Sequence, residues 1–399
     1  MVDGLVGSEM CIRDSLSNMD GVSYFDASIP DYLAGDIYQS GYFVTANTLG
    51  LLSLSGPEDP NFDSYVMDEF AGGNYDAEEQ IAAFYAMIVD KLGDDVTLIA
   101  GARFESTSIN YTGQVFDEEE DELPSDIGSV SGGNDYYNIL PNLTLQWDVN
   151  DELNFNFAFT QSIARPSYYD LVPYEYSNSD DQELALGNPD LKASLSTNFD
   201  IMGEWYFGGL SLLSFGYFSK DIKDWIYQYT TNNYTYAGVN GYELSQLRNG
   251  EKASVSGFEL GFQTKFLKNF TFMGNYTSTD SSTNNVEGRD DVPLTGQVDD
   301  MYNLSLAFEN SKFFVRASMN YASEALDELS GDAYEDRYYD EQTFVDVNAN
   351  YKVNDKLSIF AEGKNLTNQP LRYYQGIQQR TMQIEYYNLS WTLGLKYDF

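Results

Sequence analysis

At 399 residues the chain is long enough for one large unit or two ordinary domains, and its 63 Asp+Glu against 21 Lys+Arg, a net charge of -42, exclude nucleic acid, whose phosphates need a basic face. It has no histidine, which excludes Ser-His-Asp and Cys-His nucleophile systems and His-ligated zinc or haem. Aromatics reach 16%, with 33 Tyr and 25 Phe against 10 Pro, a composition suited to pleated sheet; no apolar run approaches the roughly 18 residues of a membrane-spanning helix, a test that β-barrels escape because their strands alternate.

Residues 1–15 (MVDGLVGSEMCIRDS) hold the sole cysteine, Cys11. Their character does not continue beyond residue 15, and they read as a non-native leader without the basic, apolar and small-residue regions of a signal peptide. Residues 16–78 are irregular and punctuated by Gly, Pro and Asp, so they read as mostly loop.

From residue 79 onward a period of two recurs. Leu153, Phe155, Phe157 and Phe159 share one face, as do Leu195, Thr197, Phe199, Ile201 and Trp205. The same pattern returns with Tyr302, Leu304, Leu306 and Phe308, then Phe313, Val315, Ala317, Met319 and Tyr321, then Val345, Val347, Ala349 and Tyr351. The last segment is the cleanest: Leu389, Trp391, Leu393 and Leu395 are expected to face lipid, and Ser390, Thr392 and Lys396 the interior.

A soluble sandwich would also show such faces, so the connections decide. Tight turns fall at Gly93-Asp94, Asn150-Asp151, Gly208-Gly209, Lys268-Asn269, Asn310-Ser311 and Asn354-Asp355. They alternate with long polar loops near residues 112–135, 164–190, 230–251, 281–297, 324–341 and 368–380. Short turns at one end and long loops at the other mark an outer-membrane barrel, with the loops and residues 16–78 on the extracellular side. The fold class is therefore all-β, a transmembrane antiparallel β-barrel. About thirteen strands are counted, and because bacterial barrels use even numbers, an incomplete, open, strongly curved sheet over residues 79–399 is expected.

Chemistry beyond the wall is sparse. The acidic run that includes Asp117, Glu118, Glu119 and Glu120 offers hard oxygen ligands for a surface Ca²⁺, although a solvated acidic loop accounts for it better. The carboxylate pairs Asp180-Asp181 and Asp290-Asp291 form no positioned acid and base, so no enzyme is expected. Tyrosines crowd the loops, and Tyr168, Tyr169, Tyr174, Tyr176, Tyr234, Tyr236, Tyr338, Tyr339 and Tyr373 are the predicted ligand-binding residues, since each presents a flat face and a hydroxyl.

Residues 160–192, TQSIARPSYYDLVPYEYSNSDDQELALGNPDLK, resemble a segment of TonB-dependent receptor barrels. There a strand ends in Ser-x-x-Arg-Pro, followed by Leu-x-Pro and Gly-Asn-Pro-x-Leu. The matching residues are Ser162, Arg165, Pro166, Leu171, Pro173, Gly187, Asn188, Pro189, Leu191 and Lys192. Gly101 to Thr107, Asn365 to Asn368 and the terminal Tyr397 and Phe399 look like the same family.

The resemblance implies strands 10–22 of a 22-stranded barrel in the bacterial outer membrane, without the plug domain and the TonB-contacting region that precede the barrel in the family. It implies as partners the TonB complex through that N-terminal region, outer-membrane lipid, and the barrel assembly machinery through Tyr397 and Phe399. It implies no cofactor, and a ligand held at the extracellular face. The acidity favours a neutral ligand, with an oligosaccharide first and a ferric siderophore or cobalamin as alternatives; a passive porin is the alternative class.

Overall fold

The computed structural model describes residues 24–25, 43–44, 75–117, 128–179, 181–284 and 286–399. Residues 1–15 and nearly all of 16–78 lie outside these, as do Glu118, Glu119 and Glu120 of the acidic run. The strands are β1 (Tyr24–Phe25), β2 (Phe43–Val44), β3 (Asp76–Lys91), β4 (Val96–Asp117), β5 (Gly128–Asn150), β6 (Leu153–Ala164), β7 (Glu175–Asn178) and β8 (Glu183–Leu186). They continue as β9 (Ser194–Tyr206), β10 (Leu212–Lys223), β11 (Ile226–Tyr236), β12 (Val239–Asn249), β13 (Lys252–Phe266), β14 (Phe270–Asn284), β15 (Asp300–Glu309) and β16 (Phe313–Ala322). The series ends with β17 (Ala325–Ser330), β18 (Arg337–Tyr339), β19 (Gln342–Lys352), β20 (Leu357–Lys364), β21 (Leu371–Gln375), β22 (Thr381–Glu385) and β23 (Ser390–Tyr397). One helical turn, α1 (Tyr168–Leu171), comes after β6.

The chain divides into two units, one of Met1–Asp76, Thr112–Ser131 and Pro173–Leu186, the other of Ala77–Tyr111, Gly132–Val172 and Gly187–Phe399. In the first, β1 pairs with β2, the end of β4 pairs in parallel with β7, and β7 pairs with β8.

The second unit is the wall. In spatial order it runs β3, β4, β5, β6, β9, β10, β13, β14, β15, β16, β19, β20 and β23, with antiparallel registers from β5 onward. The strand count read from the sequence is met. The register explains the alternation: Leu304 lies between Gly274 and Met319, and Leu306 between Phe272 and Ala317, all on the outward face. Asn303 and Ser305 lie beside Asn275, Met273, Asn320 and Ser318 on the inward one. Water can satisfy that inward face, while lipid can only cover the outward one.

Two aromatic bands border the apolar strip, as interface girdles do. Toward the tight turns, Phe270 packs on Phe308 at 5.0 Å and Phe313 on Tyr351 at 4.6 Å; toward the loops, Tyr302 packs on Tyr321 at 4.7 Å and Phe258 on Tyr276 at 5.8 Å. In β23, Trp391, Leu393, Leu395 and Tyr397 stand opposite Gly363, Ala361, Ile359 and Leu357, as the period requires. Among the described residues no helix is long and apolar enough to cross a membrane.

The turns show why asparagine recurs there. The side-chain oxygens of Asn150, Asn310 and Asn354 each accept two backbone N–H groups, from Glu152 and Leu153, Lys312 and Phe313, and Lys356 and Leu357, at 2.8–3.0 Å. Each is an Asx turn, which reverses the chain without help from neighbouring strands.

One expectation holds and one is corrected. β3 and β23 end the strand order, and their side chains are thinly covered on both faces, with Phe84 70% and Leu393 78% exposed against 40% for Leu304 in mid-wall, as at the edges of an incomplete sheet. The correction concerns the loops. Much of 230–251, 324–341 and 368–380 is ordered as the hairpins β11–β12, β17–β18 and β21–β22. Trp225, Tyr227, Ala253, Val286, Val292, Leu326 and Leu329 form a buried apolar cluster that joins β11 and β17 to β13 and to the turn around Arg289.

Candidate ligand-capture site

The site is built on the loop-side end of the second unit. At the top of β6, Pro166 offers no N–H to continue the ladder, and Ser167 caps α1 by accepting the Asp170 N–H at 3.4 Å. Arg165 donates to Glu105 at 2.6 Å and Thr107 at 3.1 Å, and Glu105 is 8% exposed. Tyr168 donates to Glu79 at 3.0 Å.

The segment from Gly187 to Leu191 is a fastening. The Asn188 N–H reaches the Asp170 carbonyl at 2.8 Å, its side-chain oxygen accepts the Asp190 N–H at 3.1 Å, and its amide donates to the Leu247 carbonyl at 2.9 Å. The Gly187 carbonyl accepts from Gln246 at 3.3 Å, the Pro189 carbonyl from Tyr111 at 3.1 Å, and Leu191 is buried. The Arg-Pro and Gly-Asn-Pro residues therefore fix the path of the chain between β6 and β9.

Within the second unit the predicted tyrosines fall in several places. Tyr168 and Tyr169 lie on α1, Tyr174 and Tyr176 belong to the first unit, and Tyr234 stands opposite Tyr242 near the tip of β11–β12, where Tyr236 meets the same ring edge-on at 5.2 Å. Tyr338, Tyr339 and Tyr373 are brought together. Tyr338 stacks on Tyr374 at 5.3 Å and 8°, and Tyr339 meets Tyr373 at 4.7 Å, across the pairing of β18 with β21.

Beside them lies a cavity of about 550 Å³ lined by Arg337, Leu371, Tyr373, Met382, Gln383 and Glu385. Of these the sequence reading found Tyr373 alone. Arg337, next to the Tyr338-Tyr339 pair, and the alternating Met382-Gln383-Ile384-Glu385 were signals that could have found the others.

Most of the positive charge near the site is already paired with carboxylates. Arg337 is bound by Asp327 at 2.5 Å and Glu328 at 2.9 Å, Arg248 by Glu287 at 2.8 Å, Arg289 by Asp336 at 2.6 Å and Arg372 by Asp340 at 2.6 Å. Arg380 donates to the Tyr334 carbonyl at 2.7 Å and to Gln375 at 2.6 Å. Among the described residues no group of three or more Asp, Glu, Cys or His stands close enough to hold a metal ion.

Tyr374 is buried and donates to Glu324 at 2.7 Å. Burial first, then that hydrogen bond, pushes its phenol well above the ordinary tyrosine value. The neutral form is the one the fold favours, so this contribution is complete below pH about 10 and is lost as pH rises through the elevated pKa. Alkaline titration followed by phenolate absorbance should match between the unsubstituted protein and Tyr374→Phe through the ordinary tyrosine range. The two should part only above it, and loss of one titrating group near pH 10 in the variant would contradict the buried pair.

A family model described as TonB dependent receptor-like, beta-barrel, matches residues 13–366. Solved structures share the fold at low identity. The ferric-catecholate import receptor Fiu from K12 E. coli matches with a TM-score of 0.61 and 16% identity over 82% of this chain and 45% of that one. The copper transporter OprC gives 0.59 and 13% over 81% and 48%, and the ferric yersiniabactin uptake receptor FyuA from Yersinia pestis 0.58 and 15% over 82% and 46%. The chain thus spans about half the length of these structures. No curated protein sequence matches it.

Proposed function

Because the chain belongs to the TonB-dependent receptor β-barrel family, we propose that its full-length protein imports a scarce small-molecule nutrient across the outer membrane, energised through TonB. Capture takes place at the extracellular hairpins, with Tyr373 as the main aromatic contact. The barrel assembly machinery, engaged through Tyr397 and Phe399, and outer-membrane lipid complete the partners of this proposal.

One observation carries the ligand class. Four of the five described loop arginines are paired with carboxylates, and only Arg380 is held by neutral acceptors, in a chain with a net charge of -42, so an anionic chelate meets little uncompensated positive charge and is repelled by the remaining carboxylates. A neutral ligand with hydroxyls and C–H faces suits Tyr373, Gln383 and Glu385, and an oligosaccharide is the proposed class. A ferric siderophore is the second reading, favoured by the likeness to receptors named for ferric-catecholate and ferric yersiniabactin uptake.

The experiment uses the full-length receptor with maltoheptaose and a ferric catecholate as probes, in cells with and without TonB. The first reading expects TonB-dependent oligosaccharide uptake and an affinity at least tenfold weaker in Tyr373→Ala. Uptake of the ferric catecholate alone, indifferent to Tyr373→Ala, would establish the second.

A further inference from the structure

The Asp336 side chain lies behind the cavity and is 1% exposed. Its carboxylate accepts from both terminal nitrogens of Arg289 at 2.9 and 2.6 Å and from the Ser330 N–H at 3.0 Å, and its carbonyl accepts the Gly376 N–H at 2.8 Å. One residue thereby ties together three extracellular segments: the turn holding Arg289, the end of β17, and the connection between β21 and β22. Arg289 strengthens the tie by donating to the Ser330 carbonyl at 3.3 Å. Gly376 is required where it stands, since its φ is +66° and a Cβ there would come within 2.4 Å of the Tyr334 carbonyl oxygen.

The chain leaves Asp336 directly into Arg337, which lines the cavity, and Tyr338, which stacks on Tyr374. On the far side, Val286 and Val292 flank Arg289 and pack into the apolar cluster with Leu326 and Leu329. A backbone bond from Gly296 to the Leu326 carbonyl at 2.7 Å and the parallel pairing of Tyr229 with Leu329 carry the connection to β11–β12. Nothing else in the described hairpins touches so many segments through a buried charge, and a buried ion pair is an all-or-none joint because a lone partner is costly.

We propose that Asp336 is a positioning residue: through Arg289 it locks three extracellular segments into one preformed body and sets the shape of the cavity without lining it. The segments open together or not at all. The functional meaning rests on the capture reading above, but the lock itself is tested without a ligand.

The test is trypsin digestion of the full-length receptor in outer-membrane preparations, with cleavage mapped by mass spectrometry. In Asp336→Asn, cleavage after Arg289, Arg337, Arg372 and Arg380 should rise together by more than tenfold. Cleavage at Lys268 and Lys312, in turns at the opposite end, should not change. Arg289→Gln, which breaks the pair from the other side, should reproduce the pattern at Arg337, Arg372 and Arg380 and decides the matter if Asp336→Asn fails to assemble. Arg289→Lys, which keeps the charge, should restore most of the protection. A rise confined to the site nearest the substitution, no rise, or equal protection in Arg289→Gln and Arg289→Lys would overturn the proposal. None of these results bears on which nutrient is imported, so the lock and the capture reading fail separately.

Discussion

Leu393→Arg in the full-length receptor should destabilise the barrel by about 2–4 kcal/mol, the range for a basic side chain on the lipid face near the membrane midplane. Leu393 lies in the middle of β23, opposite Ala361, with its side chain 78% exposed on the outward face. Its neighbour Thr392 stands opposite Glu362 on the other face, where an arginine meets water and a carboxylate, and Thr392→Arg should cost far less. Urea unfolding, read by the mobility shift between folded and unfolded barrel, measures both. Equal losses would mean that the register of the last strand is wrong.

Arg165→Ala should cost about 3 kcal/mol, because it strips a cation from a nearly buried carboxylate. Glu105 is 8% exposed and would keep only Arg103, at 2.5 Å, as its charged partner. The loss also frees Thr107 and removes the anchor at the top of β6, from which α1 and the Asn188 fastening start. Arg165→Lys keeps the charge but loses the fork that reaches Glu105 and Thr107 together, so an intermediate cost is expected. The same unfolding assay checks the series, and an Arg165→Ala barrel no weaker than Arg165→Lys would remove the ion pair from the account.

The wall was legible because lipid imposes a two-residue period that survives in any sequence that crosses it, and because Asn150, Asn310 and Asn354 form their turns from local bonds alone. The extracellular hairpins were not. Their pairing is fixed by contacts such as Arg289 with Asp336, 47 residues apart, which leave no trace in local spacing. Tyrosine content alone does not mark a site, because girdle rings such as Tyr302 and Tyr321 share the composition of the loop tyrosines, whereas the grouping of Tyr338, Tyr339 and Tyr373 depends on the pairing of β18 with β21. The Arg-Pro and Gly-Asn-Pro segment was recognisable as a pattern, but its purpose became plain only when Asn188 was seen holding Asp170, Asp190 and Leu247.

The wall strands are expected to cross a lipid bilayer with alternating side chains around a wet interior. Single cysteines at positions 303, 304, 305 and 306 of β15, placed in the full-length receptor freed of other cysteines, test it in intact outer membranes. A water-soluble maleimide should label 303 and 305, which face inward beside Asn275, Asn320 and Ser318, and should spare 304 and 306, which face outward between Phe272, Gly274, Ala317 and Met319. Labelling of all four, or of 304 and 306 in preference to 303 and 305, would contradict the barrel.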